Sequence, residues 1–119
     1  MSNKVLVCDD EQEILDILQL ILEDEGFKVV AVQNSLDVQN VIELEQPELL
    51  LIDLWMPALS GDQVITALRA NERFKALPVI VISASSDGRQ IAFAAGADDF
   101  IAKPFDLDSM ITSVKKLIC

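Results

Sequence analysis

The sequence opens with a short apolar run that ends in two carboxylates, Lys4-Val-Leu-Val-Cys8 followed by Asp9 and Asp10. Runs of the same kind recur at residues 28–32, 49–52, 78–82 and 99–102. Each run is short and almost wholly apolar, which is typical of strands in a sheet that is covered on both faces. The pattern therefore predicts five buried strands.

Stretches of helical period separate these runs. Residues 13–25 place their apolar side chains on one arc at about 100° per residue, with polar side chains opposite. That arc comprises Ile14, Leu15, Ile17, Leu18, Ile21 and Leu22. Residues 107–118 repeat the pattern in a final helix. Strict alternation of strand and helix predicts one α/β domain over residues 1–119, with a parallel sheet and right-handed crossovers.

Several residues have the spacing of helix boundaries. Asp10 with Glu13 and Ser60 with Gln63 match the capping-box pattern of a helix start. Gly26 and Gly96 lie where the preceding helices are predicted to end.

Composition and charge restrict the class of protein. The 119 residues are 51% hydrophobic and 24% charged, as in an ordinary globular domain. The formal net charge of −11 repels nucleic-acid phosphates and anionic lipids, so we expect no direct nucleic-acid binding by this domain. The sequence has neither a signal-peptide pattern nor a membrane span, and we expect a cytoplasmic protein.

The residue types also limit the possible metals and catalytic groups. The chain contains no histidine, and its two cysteines, Cys8 and Cys119, lack metal-ligand spacing, which removes the usual zinc sites and histidine-based catalysis. Cys8 lies inside an apolar run and is expected in the core. We predict no disulfide between Cys8 and Cys119 in a reducing compartment.

Polar side chains follow the predicted strands at their carboxyl ends. These are Asp9 and Asp10 after the first strand, Asp53 after the third, Ser83 after the fourth and Lys103 after the fifth. In doubly wound sheets ligands bind outside those ends, where the strand order reverses. If the order is 2-1-3-4-5, the three carboxylates meet at that point. The second strand ends in Gln33 and Asn34 and is expected to lie outside the site.

Three carboxylates in one crevice would repel one another, and one lysine cannot balance their charge. A divalent cation can do so, and ligands that are all oxygen favour Mg²⁺, with Mn²⁺ possible. A carboxylate nucleophile beside Mg²⁺, with an ammonium and a hydroxyl near the incoming group, meets the requirements of phosphoryl transfer. The predicted product is an aspartyl phosphate.

Four segments carry a resemblance that spans essentially the whole chain. They are Val5-Leu-Val-Cys-Asp-Asp-Glu11, Asp53-Leu-Trp-Met-Pro57 with Gly61, Ser83-Ala84, and Gly96-Ala-Asp-Asp-Phe-Ile-Ala-Lys-Pro-Phe105. Together they resemble the receiver domain of two-component response regulators, of the chemotaxis-regulator type. The resemblance implies a flavodoxin-like fold, with a doubly wound five-stranded parallel sheet of order 2-1-3-4-5 and helices on both faces. The strand order comes with the resemblance and not from the periodicity.

The resemblance also implies an acceptor and its metal ligands. Asp53 would be the phosphoacceptor, and it would bind Mg²⁺ together with its neighbours. Asp10 would bind the ion directly and Asp9 largely through water. The backbone carbonyl of Trp55 would supply a further ligand.

Three other positions match residues that handle the phosphoryl group or respond to it. Lys103 would contact the group, and the Lys103–Pro104 peptide bond is expected to be cis, as in the family. Ser83 would hydrogen-bond the group after transfer. Phe100 would then turn inward; it stands where a tyrosine is often found, and its lack of a hydroxyl predicts a less sharply two-state switch.

Simpler explanations exist for each residue taken alone. Asp10 would serve only as a helix cap, and Asp53 as a turn residue after a strand. Ser83 lies in a serine-rich turn cluster, Lys103 would be a solvated charge, and Phe100 a core aromatic residue. Only the joint pattern favours the site. Asp98 and Asp99 are expected to be solvated surface.

The predicted function is that of a phosphoacceptor switch and not of an enzyme acting on external substrates. A histidine kinase or histidine phosphotransfer protein would phosphorylate Asp53, and the surface of the fourth helix, fifth strand and fifth helix would then bind a downstream protein or an output domain. The oligomeric state is left open, as is whether the domain is free-standing.

Two other function classes compete with this interpretation. Phosphatases related to haloacid dehalogenases also form aspartyl phosphates with Mg²⁺, but they carry a second Asp two residues after the nucleophile, where this chain has Trp55. A receiver-like interaction module without phosphorylation is disfavoured by the complete acidic set and Lys103.

Overall fold

A computed structural model describes residues 3–118 and contains one five-stranded parallel sheet. The strands are β1 (Lys4–Cys8), β2 (Lys28–Val32), β3 (Leu49–Asp53), β4 (Val79–Ser83) and β5 (Asp99–Ala102). Their order is β2-β1-β3-β4-β5, and every neighbouring pair is parallel. The α/β fold, its strand order and the position of each predicted strand to within one residue at each end are confirmed.

Five α-helices connect the strands. They are α1 (Gln12–Asp24), α2 (Val38–Glu45), α3 (Gly61–Arg69), α4 (Gly88–Ala95) and α5 (Leu107–Ile118), and a 3-10 turn (Ser35–Asp37) precedes α2. The predictions that concern Met1, Ser2 and Cys119 fall outside the described residues. None of the helices between residues 3 and 118 combines the length and the apolar character that a bilayer crossing needs.

Two apolar layers cover the two faces of the sheet, because successive side chains of a strand point to opposite faces. Val5 and Val7 pack with α1 and α5, whereas Leu6 and Cys8 pack with α2, α3 and α4. Strands β1, β3 and β4 are covered on both faces, while the edge strand β2 is partly open. The uniformly apolar runs are thus explained for the three central strands.

The helix boundaries confirm some predictions and correct one. The Ser60 N–H donates to Gln63 Oε1 at 3.0 Å, and Gly26 and Gly96 follow helix ends with φ of 94° and 112°. The predicted Asp10 cap is wrong. Helix α1 has Glu11 at its N-cap position, and the turn before it is fixed by Asp9, whose Oδ1 accepts from the Glu11 N–H at 2.9 Å.

One prediction about burial is also wrong. Ile17, predicted on the buried arc of α1, is 47% exposed because it lies at the margin of that arc, beyond the reach of the sheet. Asp98 is exposed, as predicted, but it also accepts the Val79 N–H at 2.8 Å and pairs with Arg69 at 3.0 Å. It ties the start of β4 to the end of α3.

Candidate functional site

Three carboxylates converge at the carboxyl ends of β1 and β3. Oxygen atoms of Asp9, Asp10 and Asp53 lie within 4.8 Å of one another. Asp9 and Asp53 are 1% and 7% exposed, and Asp10 is half-buried. The convergence arises because β1 and β3 pair in parallel, with Cys8 opposite Ile52, so that the next residues of both strands reach the same edge.

Lys103 enters this cluster from the end of β5. Its Nζ atom lies 3.3 Å from Asp9 Oδ2 and 3.2 Å from Asp53 Oδ1. The Lys103 N–H donates to the Ser83 carbonyl at 2.9 Å, which continues the pairing of β4 with β5. The predicted cis bond between Lys103 and Pro104 is present.

Electrostatics distinguish Asp53 from an ordinary carboxylate. Burial, and then the charge of Asp9, raise the pKa of Asp53 from 3.8 to about 6, although Lys103 opposes the shift. Burial tends to lower the pKa of Lys103, but the charges of Asp53 and Asp9 outweigh it and raise that pKa. One ammonium therefore does not compensate the negative charge of the cluster.

The donor set fits a hard divalent cation. Three carboxylates offer oxygen ligands within reach of one ion. Burial, and after it the charge of Asp9, disfavours the ionised form of Asp53, and a cation would favour that form. Asp10 remains half-exposed toward solvent, which leaves space for the water ligands that Mg²⁺ retains. The chemistry of the site can thus accommodate Mg²⁺ or Mn²⁺.

Ser83 is the last residue of β4, and it is 1% exposed. Its Oγ accepts the Ser85 N–H at 3.1 Å, so the hydroxyl is oriented by the turn that leads into α4. The Asp53 position of β3 pairs with Ile82, the residue before Ser83. The hydroxyl therefore belongs to the strand end next to that of Asp53.

Phe100 lies in β5, and Trp55 follows β3. Phe100 is opposite Val81 in the sheet and packs half-buried against the layer of α2, α3 and α4. Trp55 lies in the loop after β3 and is 52% exposed. The structure thus brings Asp9, Asp10, Asp53 and Lys103 into contact distance and leaves the other predicted residues on adjoining segments.

Sequence reasoning missed contacts from the segment that follows β2, the strand that was expected to lie outside the site. Gln33 Nε2 donates to the Asp10 carbonyl at 3.0 Å, and Ser35 reaches the loop that contains Trp55. A cavity of about 330 Å³ is lined by Asp10, Gln33, Asn34, Pro57 and Ala58. The position of Ser35, three residues after the predicted strand end at Val32, was a signal, but a weak one.

Comparisons with known proteins agree with this arrangement. The sequence profile described as response regulator receiver domain matches residues 5–115. Response regulator GtcR of Aneurinibacillus migulanus is 39% identical over 108 residues, which are 89% of this chain and 43% of that protein. Transcriptional regulatory protein PrrA of Mycobacterium tuberculosis is 37% identical over 119 residues, covering 98% and 50%. The chain spans about half the length of the curated relatives it matches.

Solved structures show the same fold. A response regulator receiver protein from Pseudomonas putida superposes with a TM-score of 0.89 at 30% identity, covering 98% of both chains. The signal receiver domain of a signal transduction histidine kinase from Syntrophus aciditrophicus gives a TM-score of 0.92 at 28% identity, covering 98% of this chain and 90% of that one.

Proposed function

Because the chain belongs to the response regulator receiver domain family of two-component systems, we propose that its phosphoacceptor is Asp53. The observation that supports this most is the position of Asp53. It ends the central strand β3, lies 3.2 Å from the Lys103 ammonium and shares its crevice with Asp9 and Asp10. Asp9 also contacts the Lys103 ammonium, at 3.3 Å, but its other oxygen accepts the Glu11 N–H at 2.9 Å and fixes the turn before α1.

In the proposed reaction an Asp53 oxygen attacks the phosphorus of a phosphohistidine, the bond from phosphorus to the histidine nitrogen breaks, and an acyl phosphate forms. The Lys103 ammonium meets the charge on the transferred oxygens. Asp9, Asp10, Asp53 and the Trp55 carbonyl are the proposed ligands of Mg²⁺. The bound ion would supply charge neutralisation at the phosphoryl oxygens. Later attack by water on phosphorus breaks the bond from phosphorus to the Asp53 oxygen, releases inorganic phosphate and restores the Asp53 carboxylate.

An apolar groove beside Lys103 supports docking of a protein phosphodonor. It has a volume of about 430 Å³ and is lined by Ile14, Ile17, Ala84, Lys103, Pro104 and Phe105. Lys103 lines the groove and also contacts Asp53, so a partner seated there would be next to the acceptor. The exposure of Ile17, which sequence periodicity did not predict, agrees with this role. We propose that a histidine kinase or histidine phosphotransfer protein occupies the groove.

The proposed output surface is formed by α4, β5 and α5. Phosphorylation would draw the Ser83 hydroxyl toward the phosphoryl group and let Phe100 move inward. Phe93 of α4, stacked against Arg89 at 5.3 Å, and Leu107 of α5 expose apolar area that a downstream protein or an output domain could cover. The net charge of −11 argues against DNA as the direct partner of this domain.

Enzymatic turnover of external substrates is not part of the proposal. Phosphatases related to haloacid dehalogenases carry an acid or base two residues after the nucleophile. Here that position is Trp55, which can neither accept nor supply the proton. The chemistry proposed here is restricted to phosphotransfer onto Asp53 and its hydrolysis. The proposal also includes a cytoplasmic location, which was predicted from the sequence and fits the family.

Trp55 fluorescence offers a test of the site, because the chain has one tryptophan, two residues from Asp53. We expect Mg²⁺, and then a phosphoryl analogue such as beryllofluoride, to change its emission. The Asp10→Ala and Asp53→Ala variants should weaken or abolish both responses. A silent wild type, or an equal response in the variants, would contradict the proposed site.

A further inference from the structure

The loop between β3 and α3 contains the carbonyl that is the proposed backbone ligand of Mg²⁺. Within residues 3–118, few hydrogen bonds reach residues 55–59 of this loop. One is a weak 3.7 Å contact from the Cys8 thiol to the Met56 sulfur. The others come from Ser35, whose Oγ donates to the Pro57 carbonyl at 3.2 Å and accepts the Leu59 N–H at 3.1 Å.

Ser35 is itself held firmly. It is 3% exposed and begins the 3-10 turn after β2. That turn is closed by Asn34, whose Oδ1 accepts the Leu36 N–H and whose carbonyl accepts the Asp37 N–H, both at 3.0 Å. A hydroxyl group can donate one hydrogen bond. The Ser35 hydroxyl donates it to the Pro57 carbonyl, and a lone pair of its oxygen accepts the Leu59 N–H. The direction of the Ser35 side chain is therefore defined.

The two residues bound by Ser35 flank a strained one. Ala58 has φ of 70°, in the left-handed region that residues with a Cβ rarely adopt. Without bonds on both sides, the loop would be expected to relax toward commoner backbone angles. The Ser35 hydroxyl thus opposes a rearrangement that begins two or three residues from Trp55.

We propose that Ser35 is a positioning residue for metal binding: its hydroxyl fixes the backbone at Pro57 and Leu59 and thereby the direction of the Trp55 carbonyl. The inference rests on the proposed function, because it assumes that this carbonyl binds Mg²⁺. Groups that orient metal ligands from outside commonly matter to affinity almost as much as the ligands do. Ser35 contributes from the 3-10 turn after β2, a segment that supplies no proposed ligand of its own.

The test compares Ser35→Ala with Thr112→Ala, which removes a hydroxyl hydrogen bond of 2.8 Å on the exposed side of α5. We expect Ser35→Ala to raise the Mg²⁺ concentration at half-maximal Trp55 fluorescence change roughly tenfold. Thr112→Ala should leave it within about twofold, a difference within ordinary substitution scatter. Ser35→Thr keeps the hydroxyl, beside a cavity of about 50 Å³ that can take its methyl group, and should restore most of the affinity.

Hydrogen exchange of the Leu59 amide, measured without metal, is the second measurement. This amide should exchange faster in Ser35→Ala than in wild type. Urea unfolding of Ser35→Ala, measured alongside, should show that the variant is folded. The inference would be overturned if folded Ser35→Ala had the same Mg²⁺ midpoint as wild type, or if its Leu59 amide exchanged at the wild-type rate. If the Trp55 fluorescence of wild type does not respond to Mg²⁺, the proposed metal site is overturned instead. The two failures are therefore distinguishable.

Discussion

Gly61 lies so close to Asp53 that a Cβ added to it would stand 2.5 Å from the Asp53 carbonyl oxygen. The Gly61 N–H also donates to the Leu54 carbonyl at 2.6 Å. The first residue of α3 therefore packs directly against the backbone that carries the acceptor. Any side chain at this position must displace that backbone, since the obstructing atom is not part of a flexible side chain.

We therefore expect Gly61→Ala to impair the site and stability together. Overpacking of this kind costs about 1–3 kcal/mol of unfolding free energy, and the shifted Asp53 should bind Mg²⁺ more weakly. Gly26→Ala is the matched control, because a Cβ there meets nothing within 4 Å and only the positive φ is strained. It should cost about 1 kcal/mol and leave the Mg²⁺ response of Trp55 intact. Equal Mg²⁺ affinities in both variants would contradict the packing argument.

Removing the Asp53 charge should stabilise the protein at neutral pH in the presence of a chelator. The pKa of Asp53 is raised from 3.8 to about 6, so folding holds an ionised carboxylate where it is disfavoured. That cost is absent below about pH 4, grows as pH rises toward 6 and is complete above it. Asp53→Asn should gain on the order of 2–3 kcal/mol in urea unfolding at neutral pH.

The gain should shrink toward acid pH and when Mg²⁺ is added to the wild type. Asp24→Asn, at the exposed end of α1, should change the unfolding free energy by less than about 0.5 kcal/mol. If Asp53→Asn is no more stable than wild type at neutral pH, burial and Asp9 do not destabilise the acceptor as described.

Ile17 should matter for protein phosphodonors and not for small ones. Ile17→Glu places a charge in the apolar groove beside Lys103, and we expect phosphotransfer from a cognate histidine kinase to fall roughly tenfold or more. Leu20→Glu is the control, because Leu20 is on the same helix, 71% exposed and outside the groove. Labelling by a small phosphoramidate should be similar in both variants. If the kinase phosphorylated Ile17→Glu and Leu20→Glu at equal rates, the groove would be excluded as the docking site.

Arg69 should be important for stability although it is distant from the acceptor. Its guanidinium donates to the Leu77 carbonyl at 2.7 Å and the Gly96 carbonyl at 2.9 Å, and it pairs with Asp98 at 3.0 Å. Arg69→Met should cost about 3 kcal/mol in urea unfolding. Arg73→Met removes a more exposed pair with Glu43 and should cost less than about 1 kcal/mol. Similar losses of unfolding free energy in Arg69→Met and Arg73→Met would show that the Arg69 hydrogen bonds contribute little to stability.

Strand positions and the acidic cluster could be predicted from sequence because both depend on local pattern. Runs such as residues 49–52 are apolar on both faces, and in a parallel sheet the residues after neighbouring strands meet at one edge. Asp9, Asp10 and Asp53 follow from that rule once the strand order is known. The order itself came with the family resemblance, since periodicity does not determine which strands are neighbours.

The errors concern features that depend on tertiary geometry. The spacing of Asp10 and Glu13 fits a capping box, but the turn after β1 is fixed by Asp9, which leaves Glu11 at the cap position. The bonds of Ser35 to Pro57 and Leu59 cross 22 and 24 residues of sequence, and a single hydroxyl has no periodic signature. Contacts between loops become visible only when the sheet has brought the loops together.

The central claim is that Asp53 accepts a phosphoryl group in a reaction that needs a divalent cation. The most direct measurement is intact mass and peptide mapping after incubation with a small phosphoramidate, with Mg²⁺ or with a chelator. We predict one phosphoryl group, located on Asp53, that is absent with the chelator and in Asp53→Asn. Labelling that persists without metal, or that appears equally in Asp53→Asn, would contradict the account.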